Sequence, residues 1–90
     1  MYRSVRKVDA NHKAILGAAR GVGATVVDTH ILGRGEPDAI VIFRGRTFLL
    51  ELKTGREQPN TLEKAYALAC REPVHVIRTV DEMLTLIGAQ

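Results

Sequence analysis

A single cysteine, Cys70, occurs in the 90 residues, so no intrachain disulfide can form and a reducing compartment suits the chain. No apolar run approaches the length of a membrane span, and Met1-Tyr2-Arg3-Ser4 leads into no signal-peptide core. A soluble, cytoplasmic protein with no membrane partner is expected. Internal repeats, low-complexity tracts and Cys/His spacings for zinc are all absent. So is any helix-turn-helix pattern. Ninety residues make one domain, 1–90, near the lower size limit for a self-sufficient core. That leaves no room for a separate recognition module and makes partner contacts a plausible source of stability.

The charge is uneven. Residues 1–35 hold six basic residues (Arg3, Arg6, Lys7, Lys13, Arg20, Arg34) against Asp9 and Asp28, a net of +4. The remainder holds seven basic against eight acidic residues, for a total of +3. A basic N-terminal arm, residues 1–8, suits a polyanionic partner.

Organisation centres on Gly35 to Lys53. Two runs rich in β-branched and large apolar residues meet at Arg44-Gly45-Arg46 and predict a hairpin, with Asp38 opening the first strand and Glu51 and Lys53 closing the second. Strand side chains alternate, so Glu51 and Lys53 share a face while Phe48, Leu50 and Leu52 point to the other. A two-residue loop at Arg44-Gly45 pairs Phe43 with Arg46 and sets Asp38 opposite Glu51, on one side of the sheet. That loop asks for positive φ at Arg44, which Arg does not readily adopt. A four-residue loop keeps the same parity without the strain. The expectation is therefore an even-length loop, or an odd one corrected by a bulge, with both carboxylates on one face.

Each residue of this trio has an ordinary explanation. Pro-Asp is a frequent turn pair, and Glu51 with Lys53 would serve as a solvated strand face or as protection of a strand edge. Three separate coincidences are then needed. Two carboxylates side by side repel unless a cation lies between them. Mg²⁺ is such a cation, and it suits metal-assisted phosphodiester hydrolysis, with a neighbouring Lys to hold water or offset phosphate charge.

Pro37-Asp38, twelve intervening residues and Glu51-Leu52-Lys53 resemble the PD-(D/E)xK nuclease signature. Gly35-Glu36-Pro37-Asp38 and Phe48 to Lys53 are closer still to its virus-type replication–repair nuclease branch (VRR-Nuc) and to small phage Holliday-junction resolvase-like proteins. The likeness extends from Val8-Asp9-Ala10-Asn11 to the segment Val74–Leu84. It implies a restriction-endonuclease-like core and a Mg²⁺- or Mn²⁺-dependent endodeoxyribonuclease, in the cytoplasm of a bacterial or phage-infected cell. By resemblance, Asp38 and Glu51 are metal ligands, the Leu52 carbonyl is a third, and Lys53 is the catalytic base. Relatives often carry a first-helix acid near the metal, for which Asp9 is the candidate here. They also carry a Gln in or before the second helix. Gln58 lies early and Lys64 occupies the helical position, so that role is unassigned. Arg3, Arg6, Lys7, Arg34, Gln58 and Lys64 are candidate DNA contacts. Resemblance and the small core imply a homodimer acting on branched DNA such as Holliday junctions.

Along the chain, Ile15, Ala18, Ala19 and Val22 predict a first helix from about Ala10 to Arg20, with Asp9 as N-cap and Gly21 and Gly23 ending it. Ala24–Leu32 predicts a strand with Val27, Thr29 and Ile31 on one face and His30 solvated on the other. Asn60 and Glu63 form a capping box opening a helix whose apolar stripe is Leu62, Ala65, Tyr66 and Ala69. Val74–Ile77 is a last strand. Thr79 and Glu82 cap a final helix that buries Val80, Met83, Leu84 and Ile87 until Gly88 stops it. The order is αβββαβα, a mixed sheet flanked by helices. A non-catalytic nucleic-acid-binding module on the same fold is the alternative reading, and the paired carboxylates, which repel phosphate, argue against it.

Overall fold

The computed structural model describes the backbone of residues 2–90 and the side chains of residues 10–90. Element order is α1 (Tyr2–Gly21), β1 (Thr25–Asp28), a 3₁₀ turn (His30–Leu32), β2 (Ala39–Phe43), β3 (Arg46–Leu52), α2 (Thr61–Ala69), β4 (Val74–Ile77) and α3 (Val80–Ile87). The order αβββαβα therefore holds. The four strands lie in the order β1-β2-β3-β4, with the first three antiparallel and β4 parallel to β3, which makes a mixed sheet.

Helix α1 begins at Tyr2, not near Ala10, so the backbone of the basic arm from Tyr2 onward is part of the helix. Tyr2–Val8 contains no Gly or Pro and is rich in Arg and Lys, all compatible with helix. Asp9 is thus an interior position and cannot be the N-cap. The side chains of Arg3, Arg6, Lys7 and Asp9 lie outside the described residues. At its other end α1 closes as expected, with Gly23 left-handed at φ +93°. Ala24 N–H donates to Ala19 O and Gly23 N–H to Arg20 O, both at 3.0 Å, which satisfies carbonyls the helix leaves open.

β1 is shorter than expected and stops at Asp28. Asp28 Oδ1 accepts the main-chain N–H of His30 at 3.2 Å, a local turn that competes with further strand. Ile31 and Leu32 are left 82% and 58% exposed rather than alternating on a strand. Thr29 still pins the next strand, donating from its N–H to Asp38 O at 2.9 Å and from its hydroxyl to Pro37 O at 2.6 Å.

The hairpin turns through two residues. Phe43 pairs with Arg46, and the register runs unbroken to Ala39 opposite Leu50. Arg44 accepts φ +51° and Gly45 φ +79°, the primed turn whose twist matches the strands. The strain at Arg44 is accompanied by its guanidinium stacking 4.8 Å from the Phe43 ring centroid.

One sheet face carries the core. Ala39, Val41, Phe43, Phe48, Leu50, Leu52 and Ile77 bury against Ile15, Leu16 and Ala19 of α1 and Met83 and Ile87 of α3. Thr79 and Glu82 form the capping box of α3, and Gly88 ends it in the left-handed region. The opposite face is less covered, with Val27 and Ile42 exposed.

Helix α2 departs most from expectation. Its capping box is present, but it buries none of its residues. Of the stripe Leu62, Ala65, Tyr66 and Ala69, only Tyr66 is half-buried. The helix is anchored at its first turn instead. There Gly35, at φ +86°, comes so close that a Cβ would lie 2.4 Å from Leu62 O.

Candidate active site

β2 and β3 bring the predicted trio together at one end of the sheet. The register places Ala39 opposite Leu50, so Asp38 precedes the pair at the level of Glu51. Asp38 N–H donates to Leu50 O at 2.8 Å, and Asp38 Oδ2 accepts Leu52 N–H at the same distance. Its backbone and its carboxyl are thus both tied to β3. Glu51 and Lys53 are only 2% and 7% exposed, unusual for charged residues without partners.

The partners explain their burial. Burial pushes the Glu51 carboxyl up, the hydrogen bond and charge of Asp38 add to this, and so does the Glu63 charge. Lys53 offsets only part, and the group ends at about 9. At neutral pH the Asp38–Glu51 pair therefore holds a proton. Glu51 Oε1 is buried with no donor to accept from among the described residues.

Lys53 Nζ lies 2.8 Å from Glu63 Oε1 and 3.9 Å from Glu57 Oε2. Burial acts to lower the ammonium, but the Glu63 hydrogen bond and charge outweigh it, aided by Glu57 and Glu51. The Lys53 group ends above its ordinary value. Burial likewise pushes the Glu63 carboxyl up. The Lys53 hydrogen bond, the Asn60 main-chain bond and the Lys53 charge outweigh it and hold Glu63 below the usual range. Lys53 is accordingly a firmly protonated cation, which fits charge stabilisation and water orientation better than proton abstraction as a base.

Helix α1 closes the site from the core side. Asn11 Nδ2 donates to Lys53 O and to Arg78 O, each at 3.3 Å. His12 Nε2 is 3.1 Å from Leu52 O, the carbonyl expected as a third ligand. That oxygen keeps a second lone pair. Arg78 reaches back to the loop after β3, donating from Nε to Gly55 O at 2.9 Å and from Nη2 to Glu57 O at 2.6 Å.

Glu63, Asn11 and His12 are site residues that sequence reasoning missed. The capping box was a usable signal for Glu63, because it fixes that side chain at the first turn of α2, soon after Lys53. The outlying candidates are placed differently. Gln58 is exposed and donates to Arg56 O at 3.4 Å. Lys64 is exposed on α2, and Arg34 is exposed in the loop before Asp38 at φ +58°. Among the described residues no three His, Cys, Asp or Glu side chains are gathered for a metal ion. The available donor set is two carboxylates and a main-chain carbonyl, with Glu63 engaged by Lys53.

No protein-family model matches the chain, and no curated protein matches it. A solved structure of a VRR_NUC domain does, with a TM-score of 0.68 and 23% identity, covering 91% of this chain and 95% of that one. The chain therefore has the VRR-Nuc fold, a small restriction-endonuclease-like α/β architecture with helices flanking a mixed four-stranded sheet.

Proposed function

We propose that residues 1–90 act as a metal-dependent nuclease domain that hydrolyses phosphodiester bonds in DNA, selectively in branched structures such as four-way junctions, as a homodimer in the cytoplasm. The observation that carries the reading is the pairing of the half-buried Asp38 carboxyl with the buried Glu51 carboxyl, with the buried Lys53 beside them. The VRR-Nuc fold supports nuclease chemistry on the same scaffold.

The residues present fit a divalent cation. Asp38, Glu51 and the Leu52 carbonyl would hold Mg²⁺ or Mn²⁺, a hard ion that accepts one or two carboxylates and oxygen donors. Bound there, it would polarise the phosphoryl oxygen and make water more acidic. Lys53, kept charged by Glu63, stands where an ammonium would offset charge gathering on the phosphate. Asn11 and His12 hold the backbone of Leu52 and Lys53 in place.

The homodimer is favoured by apolar surface left uncovered: Leu62 at 59% and Leu68 at 89% on α2, with Ile31, Leu32, Val27 and Ile42 elsewhere. Two-fold related sites would meet two strands of a junction.

A gel assay of four-way junction, flap and linear duplex with Mn²⁺ tests selectivity. The junction should be cut fastest, in paired incisions. Equal cutting of linear duplex would remove the structure-selective part of the proposal.

A further inference from the structure

A cavity of ≈ 330 Å³ opens between α1 and the turn after β1, lined by His12, Lys13, Leu16, Arg20, Asp28 and His30. It borders the candidate site on two sides. His12 is 3.1 Å from Leu52 O, and Thr29, between Asp28 and His30, donates to the Asp38 carbonyl at 2.9 Å. Lys13, Leu16 and Arg20 recur at helical spacing, so one stripe of α1 presents both cations to the cavity.

Among the described lining residues the one carboxylate is already engaged. Asp28 Oδ1 is 2.5 Å from His30 Nδ1 and accepts the His30 main-chain N–H at 3.2 Å. Burial pushes the Asp28 carboxyl up, but the His30 hydrogen bonds and the charges of His30 and Arg20 outweigh that and leave it below its ordinary value. Asp28 thus orients the imidazole rather than standing alone against an anion. Lys13 and Arg20 supply the positive charge of the lining, beside a centre rich in carboxylates that would by itself repel a nucleic-acid strand.

We infer that this cavity is a subsite for a backbone phosphate of the DNA strand, adjacent to the phosphate at Asp38 and Glu51, with Lys13 and Arg20 supplying the charge. The inference rests on the nuclease reading for which strand is bound, not for whether an anion binds. It also gives α1 a purpose beyond packing: the same helix that holds the Leu52 carbonyl through His12 sets the register of the strand across the site.

Lys13 and Arg20 are exposed, so their removal leaves the core intact. The test is fluorescence anisotropy of labelled four-way junction in EDTA, where no metal supports cleavage, across a salt series. Lys13→Ala with Arg20→Ala should weaken binding about tenfold and flatten the slope of log affinity against log salt by about one unit, the scale of one lost phosphate contact. Arg71→Ala, an exposed cation remote from the cavity, is the control and should change neither. A neutral methylphosphonate walked along the strand should weaken wild-type binding at one linkage and leave the double variant indifferent there. An unchanged slope in the double variant, an equal loss in Arg71→Ala, or no such linkage overturns the subsite. A wild-type protein that shows these binding effects but cleaves nothing in Mn²⁺ would overturn the nuclease reading and leave the subsite standing.

Discussion

Leu52 donates its main-chain N–H to Asp38 Oδ2 at 2.8 Å, across fourteen residues of sequence. The bond ties the carboxyl that begins one strand to the end of the next, and the same carboxyl is hydrogen-bonded to Glu51. Function and register are thereby locked together, since a one-residue slip would send every β3 side chain to the other face.

The protonated carboxyl pair makes metal-free stability depend on pH. The Glu51 group is raised from 4.5 to about 9 in the folded protein. Its contribution is fully present below about pH 4.5 and is lost as pH rises toward 9. Thermal melts in EDTA should therefore show a falling Tm between pH 6 and pH 9. Glu51→Gln should flatten that fall and melt higher than wild type at pH 8. Mn²⁺ should raise the wild-type Tm, more at pH 8 than at pH 6, because the cation displaces the proton. Parallel pH profiles for wild type and Glu51→Gln would contradict the assignment of the shared proton.

Glu63 stabilises in two ways that a comparison separates. Glu63→Ala removes half of a capping box and leaves the buried Lys53 without its 2.8 Å partner. Loss of one partner of a buried pair costs about 3 kcal/mol, whereas loss of a cap alone costs about 1 kcal/mol. Thr79→Ala, a cap with no such partner, is the reference. Urea denaturation should rank Glu63→Ala well below Thr79→Ala, and equal losses would mean that the Lys53 pair contributes little.

Gly35 and Gly45 both hold positive φ, but only Gly35 faces backbone where a Cβ would sit. Gly45→Ala should cost about 1 kcal/mol, the conformational penalty alone. Gly35→Ala adds a 2.4 Å clash with Leu62 O and should cost more, while loosening the first turn of α2. Denaturation midpoints check the order, and hydrogen exchange at Glu63 and Lys64 checks the loosening.

Much of this was legible from the hairpin. Parity alone placed Asp38 and Glu51 together, because a strand repeats every two residues and the even loop preserves the face. The start of α1 was not legible, since Asp9 looks like a cap and nothing local says that the helix runs past it. The end of β1 was hidden because Asp28 forms a local turn with His30 where alternation alone implied more strand. The α2 stripe is apolar in sequence, yet amphipathicity does not say what covers it, and of its residues only Tyr66 is half-buried. The roles of Glu63 and His12 depend on contacts across long sequence separations, which no spacing rule reports.

Lys53→Ala should lower the cleavage rate by at least about a hundredfold, the scale of removing one charge-stabilising group. Lys53→Arg should restore part of it, since the charge survives and the ion pair with Glu63 can re-form. Single-turnover rates decide this. Complete recovery of activity in Lys53→Ala would mean that the ammonium takes no part in the reaction.

The most direct test compares Mn²⁺-dependent cleavage of an end-labelled four-way junction by wild type and Glu51→Ala, with binding followed in parallel. Wild type should cut the junction and stop when EDTA removes the metal. Glu51→Ala should bind at least as tightly, with one repulsive carboxylate gone, and yield no product. Undiminished cleavage by Glu51→Ala would contradict the account of this site.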